Sequence, residues 1–272
     1  MNVLLTSAGR RTSLLKAFQD AAHSRNGLVW AGDADPLAAA LQVADERIIL
    51  PRIDASDYLS AILEHVHSND IDLVVPTIDP GLFPLAEART KFHDAGSRAL
   101  VSPPSFLNLA SDKWKTLAHF SGEIRTPASW LPEHANLEDL PDPVFVKPRT
   151  GSSSTNAQCV AREEVPQILN FLDAPILQEV IEAPEMTVDA LFDWDGKLIH
   201  YVPRLRVRTR SGESIQGQTL PDADWRSWLR PLLRKLGRLG ARGPLTLQAF
   251  CTEPEPTLSE INPRFGGGFP LT

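Results

Sequence analysis

Short apolar runs recur through the first hundred residues, at 3–5, 28–31, 48–50, 71–75 and 99–101, with helical patterns between them. No other feature limits the fold of this chain as much. Strands this short and uniformly apolar are buried on both faces, and strands joined by helices run parallel. The pattern predicts an α/β fold with a doubly wound parallel sheet. Helices are expected near 11–22, 56–67 and 81–92. In the second, Leu59, Ile62, Leu63 and Val66 fall at helical spacing, with Ser56 as the cap. Ligands of such sheets gather at the carboxyl ends of the strands. The loops 6–11, 32–36 and 76–80 lie there.

Past Pro103-Pro104 the pattern changes. A helix is expected over 106–120, then strands near 144–147, 157–160, 176–180, 186–192 and 198–207, a helix over 223–239, and strands near 245–251 and 257–261. This is an α+β arrangement. It divides the chain into 1–103 and 104–272, the second part having lobes at about 104–175 and 176–272. A 42% hydrophobic content over 272 residues suffices for two cores. The net charge of −7 argues against general nucleic-acid binding. No run approaches the ~18 apolar residues of a membrane span, and the run at 3–5 is too short for a secretory signal. A cytoplasmic location is expected. Cys159 and Cys251 lack metal-ligand spacing and read as buried, reduced thiols.

Four stretches could carry chemistry. VFVKPRTGSSS, at 144–154, ends a strand on Lys147 and enters a Gly/Ser loop. Such a loop brings backbone N–H groups close to phosphate oxygens, and the lysine adds a compact charge. The alternative is a surface strand with a flexible loop. The strands TLQAF and LSEINPRF flank a turn at Pro254. In a hairpin centred there Gln248 faces Glu260, and Asn262 shares their face. Three oxygen donors together suit Mg²⁺; a polar edge face is the alternative. In PRLRVRTR, Arg204, Arg206, Arg208 and Arg210 alternate and share one face of a strand. Either a polyphosphate or acidic substrate compensates them, or nearby carboxylates do. In LQEVIEAPEMTVDAL, Glu179 and Glu185 flank a crossing between strands, a weak signal alone.

In this order the four stretches resemble the ATP-grasp superfamily, in the branch similar to the carbamoyl-phosphate synthase large subunit and the pyrrolysine-biosynthesis ligase. TSAGRRTSLL and VVPTIDPGLFPLA resemble the same branch's pre-ATP-grasp domain. The resemblance implies ATP and Mg²⁺ as cofactors, with Mn²⁺ as a substitute. Lys113 and Lys147 would contact phosphates, with the loop 150–155, including Ser152, Ser153 and Ser154, closing over them. Glu179 and Ile181 would read adenine through backbone groups, and Glu185 would hold the ribose. Gln248, Glu260 and Asn262 would hold the metal. Arg264 would lie beside the transferred phosphoryl group, with Lys147 helping there. The stretch containing Arg206 would border the triphosphate. Apart from the resemblance, Arg10 and Arg11 lie at the sheet's carboxyl edge and are candidates for the acceptor pocket, a solvated helix start being the alternative.

The implied reaction is a carboxylate–amine, or related, ligation through an acyl phosphate. Its partners would be ATP, a small carboxylic acid and an amine or other nucleophile, without nucleic acid or membrane. The chain stops at Gly266-Gly267-Gly268-Phe269-Pro270-Leu271-Thr272, where relatives continue with a further helix or small domain. The domain is therefore expected to lack the usual C-terminal extension, and a homodimer or a completing partner chain enters as an expectation. A non-catalytic or partner-dependent ATP-binding module of the same fold is the second reading. A third places a nicotinamide or nucleotide sugar at Asp33 or Asp35, against the missing G-x-G-x-x-G.

Overall fold

A computed structural model of the chain describes residues 1–151, 156–210 and 212–269. The expected phosphate-loop residues Ser152, Ser153 and Ser154, and the tail Pro270-Leu271-Thr272, lie outside them. The first unit runs β1 (Asn2–Thr6), α1 (Thr12–His23), β2 (Val29–Asp33), β3 (Glu46–Ile49), α2 (Tyr58–Ser68), β4 (Ile71–Pro76), α3 (Leu82–Glu87), α4 (Arg89–Asp94) and β5 (Arg98–Ala99). Its strands form one parallel sheet in the order β3-β2-β1-β4-β5. Val3, Leu4 and Leu5 of β1 are fully buried, as a central strand requires. The winding reverses between β1 and β4. There the connections leave in opposite directions and open a crevice bordered by the loops after both strands.

Two details differ from expectation. The helix expected over 81–92 breaks at Ala88 into α3 and α4, which lets Leu82, Leu85 and Phe92 all enter one core. The cap of α2 is Asp57 rather than Ser56, and it makes no side-chain capping bond.

The second unit runs α5 (Pro104–Ala110), α6 (Lys113–Phe120), β6 (Ser129–Trp130), β7 (Val144–Pro148), β8 (Gln158–Val160), α7 (Val165–Leu169), β9 (Pro175–Glu179), β10 (Glu185–Phe192), β11 (Leu198–Arg210), β12 (Glu213–Thr219), α8 (Asp222–Leu239), β13 (Gly243–Phe250) and β14 (Thr257–Asn262). The helix expected over 106–120 is two helices. Asp112 breaks it because its carboxylate accepts from the N–H groups of Trp114 and Lys115 and caps α6. α5 belongs to both cores: Leu107 packs in the first, Phe106 and Ala110 in the second.

The later strands form two antiparallel sheets, β6-β9-β7-β8 and β12-β11-β10-β13-β14. β12 was not expected, since ESIQGQT carries little apolar pattern and forms an edge. Leu229, Leu232, Leu233 and Leu236 make one stripe along α8, at i, i+3, i+4 and i+7. They pack on Met186, Val188 and Ala190 of β10 and Leu245, Leu247 and Ala249 of β13. Each buried leucine contributes roughly 1.5–3 kcal/mol. α8 ends at Gly240, whose φ of 117° is the left-handed conformation that glycine adopts without strain. Because strand side chains alternate, the residues between those core positions, Glu185, Thr187 and Asp189 on β10 and Thr246 and Gln248 on β13, fall on the opposite face. That face carries the polar site. Among the described residues no helix is long and apolar enough to cross a membrane.

Candidate active site

The β13–β14 hairpin pairs Gln248 with Glu260 and Thr246 with Asn262. Asn262 Nδ2 donates to Glu260 Oε1 at 2.6 Å. β10 lies on the other side of β13 and sets Thr187 beside Gln248. Arg206, from β11, ties these strands together. Its Nη1 donates to Glu185 Oε1 at 2.7 Å and to Gln248 Oε1 at 2.8 Å, and its Nη2 donates to the Gly212 carbonyl. Burial raises the Glu185 carboxyl above the ordinary range; the Arg206 charge opposes this and the Glu260 charge adds to it.

Two lysines face Glu260, one from β7 and one from the start of α6. Lys147 is the next-to-last residue of β7 and is 8% exposed. Burial lowers its pKa to about 8; attraction to Glu260 opposes the drop and repulsion from Lys113 deepens it. Lys113 opens α6, and its Nζ donates to the Gly151 carbonyl at 2.9 Å and lies 3.7 Å from Glu260 Oε2. The start of α6 is anchored from β7. Arg149 donates twice to the Asp112 carboxylate, at 3.2 and 2.7 Å, and its carbonyl accepts from the Lys113 N–H.

Lys113, Lys147, Glu185, Arg206, Gln248 and Glu260 line a cleft of about 780 Å³, which Glu179, Val180, Ile181, Phe145 and Cys159 also line. Glu179 departs from its expected role in one respect. Its N–H donates to the Ala128 carbonyl and its Oε1 accepts from the Ala128 N–H, so that backbone donor is committed within the fold. Cys159 is exposed, contrary to expectation, because β8 is an edge strand beside the cleft. Cys251 is only half-buried.

The expectation of four arginines on one face also fails. The pairing of β11 with β12 shifts register on both sides of Arg208. A bulge of this kind interrupts the alternation of side chains. Arg204 and Arg206 point into the site, Arg208 and Arg210 are exposed, and Thr209 lines the cleft.

Beyond Gln248 and Glu260 a smaller polar cavity of about 50 Å³ is lined by Arg204, Arg206, Arg264, Asn262, Gly267 and Gly268, among others. Arg264 reaches across to the first unit. Its Nε and Nη2 donate to Asp79 Oδ1 and Oδ2, both at 2.7 Å. A third cavity, of about 310 Å³, opens at the β1–β4 crevice between Ser7, Gly9, Arg10, Arg11 and Ile78 on one side and Gly266 and Gly267 on the other. Arg11 closes the junction by donating to the Gly266 carbonyl at 3.2 Å. Asp33, the ribose candidate of the third reading, instead accepts from the Gly9 and Asp35 N–H groups and shapes the loop.

Gln248, Glu260 and Asn262 offer a single carboxylate and two amide groups. Among the described residues no group of three or more His, Cys, Asp or Glu side chains could hold a metal ion. This set fits Mg²⁺, or Mn²⁺, arriving with a nucleotide, since Mg²⁺ takes much of its shell from water and phosphate. Gln248 would have to release Arg206 to contribute its oxygen.

Sequence reasoning passed over Asp112, Arg149, Asp79 and Asp189. Only Asp112 left a signal, as an acidic residue just before a helical pattern. Asp79 lies 185 residues from its partner.

Residues 3–100 match the family described as PylC-like, N-terminal domain. Residues 110–268, more than half of the chain, match the family described as ATP-grasp domain. No curated protein matches. Among solved structures the chain is similar to biotin carboxylase from Campylobacter jejuni, solved as a β-γ-ATP complex (16% identity, TM-score 0.76, covering 98% of this chain and 66% of that one). It is also similar to L-amino acid ligase from Bacillus licheniformis (16%, 0.72, 98% and 67%). A third is N5-carboxyaminoimidazole ribonucleotide synthetase from Thermotoga maritima (18%, 0.67, 97% and 68%). The chain spans about two thirds of the length of each, and at these identities the likeness shows the fold.

Proposed function

The chain belongs to the ATP-grasp family, whose enzymes are ligases that use ATP and Mg²⁺, and from that premise we propose that it joins a small carboxylic acid to an amine or related nucleophile through an acyl phosphate. One observation carries this reading. Two buried lysines, Lys113 from α6 and Lys147 from β7, and Glu260 from β14 converge in one cleft. Buried ammonium groups are costly, and they are retained where an anion repays them. A triphosphate lying along the cleft would do so, with its base toward 179–181 and its γ-phosphate near Lys147 and the small polar cavity.

A carboxylate is a poor electrophile. In the proposed first step an oxygen of the acid attacks the γ-phosphorus, and ADP leaves with the electrons of the broken P–O bond. Lys113 and Lys147 hold the phosphates in line and offset their charge. Mg²⁺, when bound through Glu260, Asn262 and Gln248, would neutralise further charge on the phosphate oxygens. In the second step the amine nitrogen attacks the acyl carbon, inorganic phosphate leaves, and the nitrogen gives up a proton. Neither step needs a protein nucleophile.

The test is calorimetry of Mg-ATP with the wild type and Lys147→Ala, followed by ADP release across a panel of carboxylic acids and amines. Wild type is expected to bind, the variant is not, and one acid–amine pair is expected to stimulate ADP release. Absence of binding by the wild type refutes the reading. Binding without release from any pair leaves a non-catalytic or partner-dependent ATP-binding module in its place.

A further inference from the structure

We propose that Arg149 and Asp112 form a positioning pair that holds Lys113 against the nucleotide phosphates. This rests on the placement of the phosphates proposed above. Lys113 and Lys147 stand on different cores. Lys147 belongs to β7, whose Val144 and Val146 pack with Val160 of β8 and Leu177 of β9. Lys113 opens α6, whose Phe120 packs with Leu258 and Ile261 of β14. Neither core by itself sets the distance between the two ammonium groups, and they repel each other. The start of α6 is also an unfavourable place for a cation. A helix N-terminus carries partial positive charge, and Lys113, the first residue of α6, is buried there.

The pair meets both difficulties. Asp112 accepts from the Trp114 and Lys115 N–H groups, which caps α6 and sets a negative charge at the end of the helix beside Lys113. Arg149 follows Lys147 by two residues in the chain, and its guanidinium grips that carboxylate through both Nε and Nη2. A two-point grip fixes orientation as well as distance. The backbone of Arg149 is tied on both sides: its N–H donates to the Ala174 carbonyl at 3.0 Å, and its carbonyl accepts from the Lys113 N–H at 2.9 Å. The Lys113 ammonium reaches back to the Gly151 carbonyl, two residues past Arg149. The start of α6 and the end of β7 are thus joined through side chain and backbone at one place. The Asp112 and Arg149 side chains are 13% and 24% exposed, which sets the pair apart from the open surface pairs that contribute little. Burial alone would push the Asp112 carboxyl up; the bonds from Arg149 and from the Lys115 N–H, with the charges of both residues, bring it below the usual carboxylate range. Neither side chain is among the described residues that line the cleft, so the pair acts on the nucleotide through Lys113.

Calorimetry of Mg-ATP with wild type, Arg149→Met, Lys113→Met and the double variant tests this, with urea melts to show that each chain is folded. Arg149→Met keeps the cap of α6 and removes the grip on it. It is expected to weaken Mg-ATP at least tenfold. Added to Lys113→Met, the same change is expected to cost less than a further threefold, because a residue that acts through Lys113 has nothing left to position. Asp112→Ser keeps a capping oxygen and removes the charge. It is expected to behave as Arg149→Met does, alone and together with Lys113→Met, and it gives the same answer if Arg149→Met does not fold. A loss under tenfold in both single variants, or losses that multiply when either is combined with Lys113→Met, overturns the proposal; the pair then serves the fold alone and the ligase reading stands. Failure of wild type to bind Mg-ATP removes both.

Discussion

Lys147→Met should move two properties in opposite directions. The ammonium of Lys147 is buried, and its pKa falls from 10.5 to about 8, chiefly through burial, with Glu260 opposing, Lys113 adding and Glu185 opposing. At pH 7 that drop corresponds to about 3 kcal/mol held against the folded state. Methionine has a similar length and no charge. It removes this cost, and it also removes a cation from beside Glu260 and Glu185, so the net gain in stability is about 1–3 kcal/mol. The cost is complete below pH 8, where both folded and unfolded chains are protonated at this lysine. It is relieved between pH 8 and 10.5, where the folded chain has lost the proton and the unfolded chain keeps it. By pH 9.5 the advantage of methionine falls by about 2 kcal/mol. Urea melts of both proteins at pH 7 and 9.5 measure this, and calorimetry should show Mg-ATP affinity reduced at least a hundredfold. A variant less stable than wild type at pH 7, or a difference that does not change with pH, refutes the burial argument. Unchanged ATP affinity refutes the placement of the phosphates.

Two further outcomes are expected. Arg206→Ala should weaken Mg-ATP at least tenfold by calorimetry, whereas Arg208→Ala and Arg210→Ala stay within twofold because the bulge turns both outward; equal losses in all three would restore a continuous arginine face. A thiol reagent at pH 7.5 should modify Cys159 before Cys251, whose thiol is pushed up by burial and by the Glu185 charge, and saturating Mg-ATP should slow the Cys159 reaction at least fivefold by mass spectrometry; labelling indifferent to ATP would place the nucleotide elsewhere.

Local periodicity was legible in the sequence and long-range partnership was not. The pairing of Gln248 with Glu260 follows from a strand period of two and a Pro-rich turn, and the hairpin has that register. The parallel sheet follows from the spacing of its apolar runs. The same period misplaced Arg208 and Arg210, because a bulge depends on how the neighbouring strand pairs. β12 is polar, and its place is set by pairing with β11 rather than by a pattern of its own. The break at Asp112 depends on a competition between helix interior and cap, and composition weights the two alike. Asp79 and Asp189 matter through arginines 185 and 15 residues away, and nothing near either carboxylate marks it.

The pairing of Asp79 with Arg264 also bears on how such chains can be assembled from older pieces. The arginine lies in the part matched by one family and its carboxylate in the part matched by another. A recombination joining first and second units of different ancestry would bring in an arginine without the acid shaped to hold it. A change in the loop that carries Asp79 is therefore constrained by an arginine at the far end of the second unit.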